Sequence, residues 1–430
     1  MTESLSRAHA EERDRNDPLR ACRSEFHLPL GEDGRPLIYF AGHSLGLQPR
    51  STAKLVEEEL DDWSRHGVLG HHSGRRPWVR YHEELTQHTA EIVGAGAHEV
   101  VNMNSCTINL HLMMVSFYRP SAERSRVIIE RNAFPSDRYA VESQIRSHGL
   151  DPASALIELA PRAGEDLLRA EDIHEAIERA GASLALVMLP GVQYLTGQAF
   201  DLGPIVAAAH RAGALAGFDL AHAVGNLELA IHASGADFAV WCNYKYLNAG
   251  PGALGGAFVH ERHAKAFDRP RFAGWWGHDK ATRFLMGPDF RPIAGAEGWQ
   301  VSNPPILSAA PVLASLEVFH RAKLPRLRAK SIELTGFFAR LVDARLQGKV
   351  SIVSPAAPDE RGCQLSLRIA GGASAGRRIF DWLEMAGAIC DWREPDLIRA
   401  GPTPLYNTFD EVYRFVELLE RALTQGSQRE

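Results

Sequence analysis

The stretch 215–256, LAGFDLAHAVGNLELAIHASGADFAVWCNYKYLNAGPGALGG, decides the fold. It opens on an apolar run, Leu215 to Phe218, that ends at Asp219, and a second run, Asp237 to Cys242, ends just before Tyr244 and Lys245. Short apolar runs bounded by turn residues read as buried strands of a parallel sheet. Open α/β sheets present their ligand sites at the C-terminal ends of such strands. The expectation is therefore a carboxylate (Asp219), an imidazole (His222) and an amine (Lys245) gathered on one rim. Asn248, Gly250, Gly252, Gly255 and Gly256 follow, and residues this small let the backbone pass close behind a flat ring. Residues 250–255, GPGALG, fit G-x-G-x-x-G formally. They precede a strand, however, whereas a dinucleotide loop follows one and opens a helix.

Working outward, further strand-like runs at 126–130, 184–189 and 254–259 are separated by helical stretches such as 201–211. Alternation of this kind predicts an α/β fold with a mostly parallel central sheet covered by helices. After Pro304 the texture changes to helices at 306–321 and 324–346, a strand at 363–369 and a helix at 375–386, the pattern of a smaller α+β domain. The expected organisation has residues 1–51 as an N-terminal arm and part of the small domain. Residues 52–305 then form the large domain and 306–430 the small C-terminal one. Residues 1–18 are polar enough to predict a loosely held arm, and the Ala/Gly-rich 369–376 a surface turn.

Composition narrows the function classes. With 45% hydrophobic and 23% charged residues the chain is of ordinary globular make-up, and its 430 residues leave room for two domains and a deep site. A net charge of -6 without a basic stripe argues against nucleic acid. Five widely spaced cysteines with no Cys-x-x-Cys pair fit reduced thiols, and the polar N-terminus resembles no secretory leader, so a cytoplasmic protein with no membrane partner is expected.

An aspartate and a lysine at neighbouring strand ends suit pyridoxal phosphate. That cofactor needs an amine to condense with its aldehyde and a carboxylate that keeps its pyridine nitrogen protonated, so that the ring can accept electrons. Lys245 and Asp219 fill those two positions, against the bland alternative of a strand-end ion pair. The phosphate needs its own cradle. Asn104-Ser105-Cys106-Thr107 opens an amphipathic helix at 108–117, whose free N–H groups and dipole favour an anion; an ordinary Ser/Thr cap is the competing reading.

With these residues in hand, the sequence resembles the kynureninase family of fold type I (aspartate aminotransferase-like) pyridoxal-phosphate enzymes. Matching segments, in order, are YFAGHSLGLQP at 39–49, FPSD at 134–137, YLTGQ at 194–198, residues 219–225 and 241–252, GWWGH at 274–278, SNPP at 302–305 and PLYN at 404–407. The resemblance implies hydrolysis of L-kynurenine or 3-hydroxy-L-kynurenine to an anthranilate and L-alanine, within tryptophan degradation and NAD biosynthesis. It further implies a role for each matched residue. Cys106 and Thr107 contact the phosphate, Phe134 stacks on the pyridine ring, and Pro135, Ser136 and Asp137 lie beside it. Asp219 pairs with the ring nitrogen next to His222, Tyr244 reaches the phosphate, and Lys245 carries the cofactor. Lys245, Tyr244 and Asp219 form the catalytic group, with Tyr244 either a proton shuttle or purely a phosphate ligand. Trp275 and Asn303 close the site from the neighbouring subunit, which makes the protein a homodimer. Arg399 binds the substrate α-carboxylate, a task suited to guanidinium, while Ser44, His71 and Asn303 line the aryl pocket. Cys106 stands where the family more often has leucine, which leaves a backbone N–H contact intact.

Other chemistries compete. A cysteine desulfurase or selenocysteine lyase on the same fold would need Cys363 as its nucleophile, yet GCQLSL at 362–367 reads as an alternating strand in which a cysteine is a small buried hydrophobe. A non-catalytic sensor would usually bring a further domain, for which no length remains. No catalytic metal is expected, because His82, Glu83 and His88 have the wrong spacing for H-E-x-x-H and the His71-His72 pair lacks a third ligand nearby.

Overall fold

The computed structural model describes residues 5–426. Its largest sheet has seven strands in the order Val100–Met103, Gly255–Val259, Phe238–Cys242, Leu215–Asp219, Leu184–Pro190, Arg126–Glu130 and Leu156–Leu159. From Phe238–Cys242 to Leu156–Leu159 every pairing is parallel, and Gly255–Val259 runs antiparallel to both of its neighbours. The mostly parallel α/β sheet is thus as expected, and the reason is visible in the residues: Phe238–Cys242 is buried at every position, which only helices on both faces allow. Close approach between these strands requires glycine at one point in particular. A Cβ on Gly256 would lie 2.1 Å from the Trp241 ring on the neighbouring strand.

Register decides where the chemistry goes. Asp219 pairs with Pro190 on one side and Val240 on the other, at the C-terminal end of the sheet. Phe238–Cys242 stops just short of Tyr244 and Lys245, so both groups emerge on that same edge.

A second core surrounds a four-stranded antiparallel sheet of Asp391–Arg393, Leu397–Ala400, Leu365–Ile369 and Val350–Ile352, covered by helices Leu324–Arg345, Gly372–Met385 and Phe409–Gly426. The chain's beginning joins this smaller unit, where Ile38–Tyr39 pairs in parallel with Ala388–Ile389 and Ala41 bridges Gly401.

Four expectations need correction. The polar N-terminus is not a loose arm: Arg7–Asn16 is a helix capped by the Ser6 hydroxyl, packed on Phe409–Gly426 with Ala10 fully buried. One small apolar residue and charged partners such as Asp14, which accepts the Phe409 and Asp410 N–H groups, anchor it without a hydrophobic stripe. The helix Ile306–Ala322, expected in the small domain, packs on Ser51–His66 and Tyr81–Val93 within the large core, because its alanine-rich sequence buries nearly all round. The 369–376 segment is a turn only as far as Gly371 (φ 98°); the helix begins at Gly372. Finally, Cys106–Phe117 is not amphipathic, since residues on almost every face of it are buried between sheet and neighbouring helices.

Candidate active site

Lys245 sits in a turn that the N-terminal segment covers. Gly46 donates its N–H to the Tyr244 carbonyl at 2.9 Å, and a Cβ at position 46 would lie 2.3 Å from the Lys245 carbonyl oxygen. Glycine here lets residues 43–46 press onto the lysine turn. The Lys245 Nζ lies 5.6 Å from the centroid of the Phe134 ring and 5.8 Å from that of Tyr244.

Asp219 is buried beside it. Its Oδ1 accepts the Ala221 N–H at 2.7 Å and lies 4.0 Å from the Cys106 sulfur. Asp137, in the first turn of the helix Pro135–Ser147, reaches the same carboxylate; burial, then the Asp219 charge, holds its carboxyl well above the usual range. Asp137 is thus the member of the pair that holds a proton, because two buried like charges in contact cannot both persist. Proline at position 135 starts that helix at no cost, since the first helical N–H has no partner in any case. Glu130, at the end of the adjoining strand, is pushed up to about 8 by burial.

His222 is buried and its Nδ1 has no partner, while burial and the nearby Lys245 charge hold it well below the ordinary histidine value. A neutral imidazole offers a flat face to a ring without competing for Asp219. Ser105 makes no side-chain capping bond to the helix Cys106–Phe117, so the first-turn N–H groups of Cys106 and Thr107 remain open to an anion. Burial raises the Cys106 thiol and the Tyr244 hydroxyl alike, so both are neutral and Tyr244 can act as a hydrogen-bond donor.

Phe134 links this group to Arg399. Its ring meets Tyr194 edge-on at 5.3 Å, and the Tyr194 carbonyl accepts from Arg399 Nη1 at 2.7 Å. Arg399 is 1% exposed; Nη2 donates to Ser44 Oγ at 3.2 Å and to Asp391 at 2.6 Å, and Nε is buried without a partner. Asp391 and Arg399 are cross-strand neighbours, and Ser44 also donates to Asp391. Sequence reading found Arg399 and Ser44, quoted Tyr194 only within a matching segment without a role, and missed Asp391. No linear spacing marks Asp391, because its importance comes from a pairing register in the small sheet.

Within one chain, Lys245, Tyr244, Asp219, Asp137, Phe134, Pro135, Ser136, His222, Cys106 and Thr107 stand together, with Ser44 and Arg399 alongside. Trp275, Asn303 and His71 lie on another patch. The Trp275 Nε1–H donates to Asn303 Oδ1 at 2.8 Å, and Trp275 meets the Phe284 ring edge-on at 5.9 Å. Phe284 in turn touches His72 at 6.0 Å, and His71 packs edge-on against Trp78 at 5.4 Å. Around them Val68 (77%), Leu69 (65%) and Leu285 (75%) are exposed. Of the tryptophan pair, Trp276 is buried core and Trp275 is half exposed.

Cys363, which a desulfurase reading requires, is fully buried, with its thiol pushed up to about 12 by that burial. A thiol so placed is a poor nucleophile.

A buried carboxylate on the sheet edge, an amine one strand away, a neutral imidazole with an open nitrogen and an uncapped helix N-terminus together fit pyridoxal phosphate. This fold and site define a pyridoxal-phosphate enzyme of the fold type I class, and the aminotransferase class-V family model matches residues 38–279. Solved structures agree on the fold. A cysteine desulfurase from Thermococcus onnurineus NA1 superposes with a TM-score of 0.77 at 18% identity, covering 94% of this chain and 98% of that one. A C-DES variant with glycine covalently linked to its PLP cofactor superposes at 0.74 and 17% identity, covering 89% and 96%. The family model for the kynureninase C-terminal domain matches residues 327–419. Kynureninase from Myxococcus xanthus (strain DK1622) is 58% identical over 96% of this chain and 97% of its own length. Those of Koribacter versatilis (strain Ellin345) and Xanthomonas campestris pv. campestris (strain B100) are 54% and 55% identical, covering 94% and 98% of this chain and 95% and 99% of their own. The chain belongs to the kynureninase family.

Proposed function

We propose that Lys245, Asp219 and Tyr244 carry the hydrolytic cleavage of the Cβ–Cγ bond of kynurenine, releasing L-alanine and anthranilate. The observation that carries this reading is the convergence of a buried carboxylate, a lysine amine and a buried arginine around one pocket, in a chain of this family. Pyridoxal phosphate, when bound, supplies an electron sink for negative charge developing at the substrate Cα. Asp219 would keep a proton on the pyridine nitrogen, Phe134 and His222 would pack against the ring, and the N–H groups of Cys106 and Thr107 would take the phosphate. The Pro135-Ser136-Asp137 turn supports Asp219 from the side.

Arg399 orients the substrate through its α-carboxylate, with the guanidinium held in place by Asp391 and the Tyr194 carbonyl. The Lys245 amine would act as the base that takes the substrate Cα proton. Water would then add to the γ-carbonyl, and collapse of the resulting diol would break Cβ–Cγ, the aryl carboxylate leaving first and the electron pair staying on Cβ until a proton reaches it. Tyr244, whose hydroxyl burial keeps protonated, returns a proton on the way to alanine. The direct test is to add kynurenine to purified, yellow protein: anthranilate fluorescence and an equal amount of alanine are expected, and sulfide release from cysteine in place of them would overturn the reading.

The second patch completes the site across a homodimer. Trp275 and Asn303 project from an exposed apolar surface and have no contact with Lys245 within the chain, the arrangement required if they reach the partner's pocket. Mixing Lys245→Ala with Asn303→Ala chains is expected to regenerate activity to about a quarter of wild type after random reassortment, because half the dimers are hybrids with one intact site each. Activity that stays at the level of the two separate variants would rule out sharing.

His71 and Asn303, with Ser44, set the aryl pocket and favour the 3-hydroxylated substrate. In His71→Ala the preference for 3-hydroxykynurenine over kynurenine is expected to fall roughly tenfold, the value of one lost hydrogen bond to a substrate hydroxyl; an unchanged ratio of kcat/KM values removes His71 from the pocket. The five cysteines are all unpaired, in keeping with a cytoplasmic location.

A further inference from the structure

We propose that His88, Glu91 and His320 form a binding site for a divalent transition-metal ion, remote from the catalytic pocket. His88 and Glu91 are one turn apart on the helix Tyr81–Val93 and so share a face, and His320 comes from the last turn of Ile306–Ala322, which packs against it. One ligand atom from each of the three lies within 4.8 Å of the others. Glu91 Oε2 is 3.2 Å from His320 Nδ1 and 3.7 Å from His88 Nδ1, and the two imidazole rings are 4.4 Å apart.

Three features favour a metal over a plain ion pair. The His88 Nδ1 is buried and has no hydrogen-bond partner, so one imidazole donor is desolvated and unused. The group lines a cavity of about 130 Å³ together with Leu316, Phe319 and Leu324, room for an ion and a water among apolar side chains. The donors also match a known preference: two imidazoles and a carboxylate suit zinc, cobalt, nickel or copper, whereas magnesium and calcium take oxygen ligands. Ligand atoms around zinc at bonds of about 2.0–2.1 Å sit roughly 3.4 Å apart in a tetrahedron, so only small side-chain rotations are needed.

Three other His/Glu groups among the described residues offer less, two of them, with His232 and His260 or with His98 and Glu261, built on the same Glu99. Glu99, next to His232 and His260, already accepts the N–H groups of Gly96 and Glu261 and caps its own turn. Glu297, beside His82 and Glu83, holds the Lys280 ammonium at 2.6 Å, where a cation would have to sit. At His88, Glu91 and His320 the one cation among the cavity residues is Lys323, which caps the end of Ile306–Ala322 and makes no ion pair to Glu91 among the described residues.

An ion there ties two helices of the large core together, and it touches nothing that binds cofactor or substrate. It should therefore raise stability and leave basal turnover alone. Chelator-treated holoenzyme titrated with Zn²⁺ by calorimetry, with thermal unfolding followed in parallel, tests this. Wild type is expected to bind one equivalent per chain that is absent in His320→Ala and at least tenfold weaker in Glu91→Gln, with a Zn²⁺-dependent rise in Tm lost in both. His232→Ala should keep it, and all three variants should turn over kynurenine like wild type without metal. No binding by wild type, or binding unaffected by His320→Ala and Glu91→Gln and abolished by His232→Ala, would overturn the assignment.

Discussion

Lys245→Ala is expected to lower kynurenine turnover by at least ~10³-fold, the sum of a lost base at the substrate Cα and a lost covalent anchor for the cofactor. The variant should still fold, because the turn is held by backbone bonds that the substitution keeps, Gly46 N–H to the Tyr244 carbonyl and Asn248 N–H to the Lys245 carbonyl, and not by the lysine amine. Two measurements check the prediction. Single-turnover anthranilate release reports the chemistry, and borohydride treatment followed by peptide mapping reports whether cofactor is fixed at residue 245. Wild type is expected to retain the cofactor covalently there and the variant to lose it on dialysis. Substantial steady anthranilate production by Lys245→Ala would remove the lysine from the mechanism.

Asp219→Asn is expected to cost about 10²–10³ in kcat, comparable to removing one preorganised electrostatic partner from a site that excludes water. An amide cannot balance a charged pyridinium, so the electron sink weakens, while the Ala221 N–H keeps an oxygen acceptor and the fold survives. The substitution also relieves Asp137. Its carboxyl stands well above the ordinary range through burial and through the Asp219 charge, so removing that charge should bring it down. The variant's pH profile should accordingly shift its acidic limb toward lower pH, and an unchanged limb together with near-normal kcat would show that Asp219 does not face the ring nitrogen.

How much of this could be seen in the linear chain depended on distance. Asp219, His222, Tyr244 and Lys245 lie within 27 positions of one another, at or just beyond the ends of two adjacent parallel strands. A period of buried runs therefore sufficed to put them on one edge, and Phe134 and Arg399 were found through motif resemblance. Asp391 was missed because it matters only as the residue opposite Arg399 in an antiparallel pair. The N-terminal helix was missed because the signal sought was an apolar stripe, whereas Arg7–Asn16 is held by one buried alanine and by ion pairs to residues some 400 positions away. The Ile306–Ala322 helix was placed in the wrong unit because alanine-rich helices bury on any face, and sequence periodicity does not say against what.

By itself, then, the sequence determined the sheet, the edge that bears the chemistry and an Asp/Lys pair suited to the cofactor, since apolar runs and strand-end residues are local features whose consequences parallel pairing makes nearly unavoidable; the reaction family came from the resemblance of its motifs. Tertiary structure alone decided which residues meet across long separations: Asp391 with Arg399 and Ser44, Trp275 with Asn303 on a patch apart from Lys245, and His320 with His88 and Glu91. Those meetings are set by how helices and sheets pack, a matter of shape and burial summed over the whole chain, and no short stretch of residues carries that information.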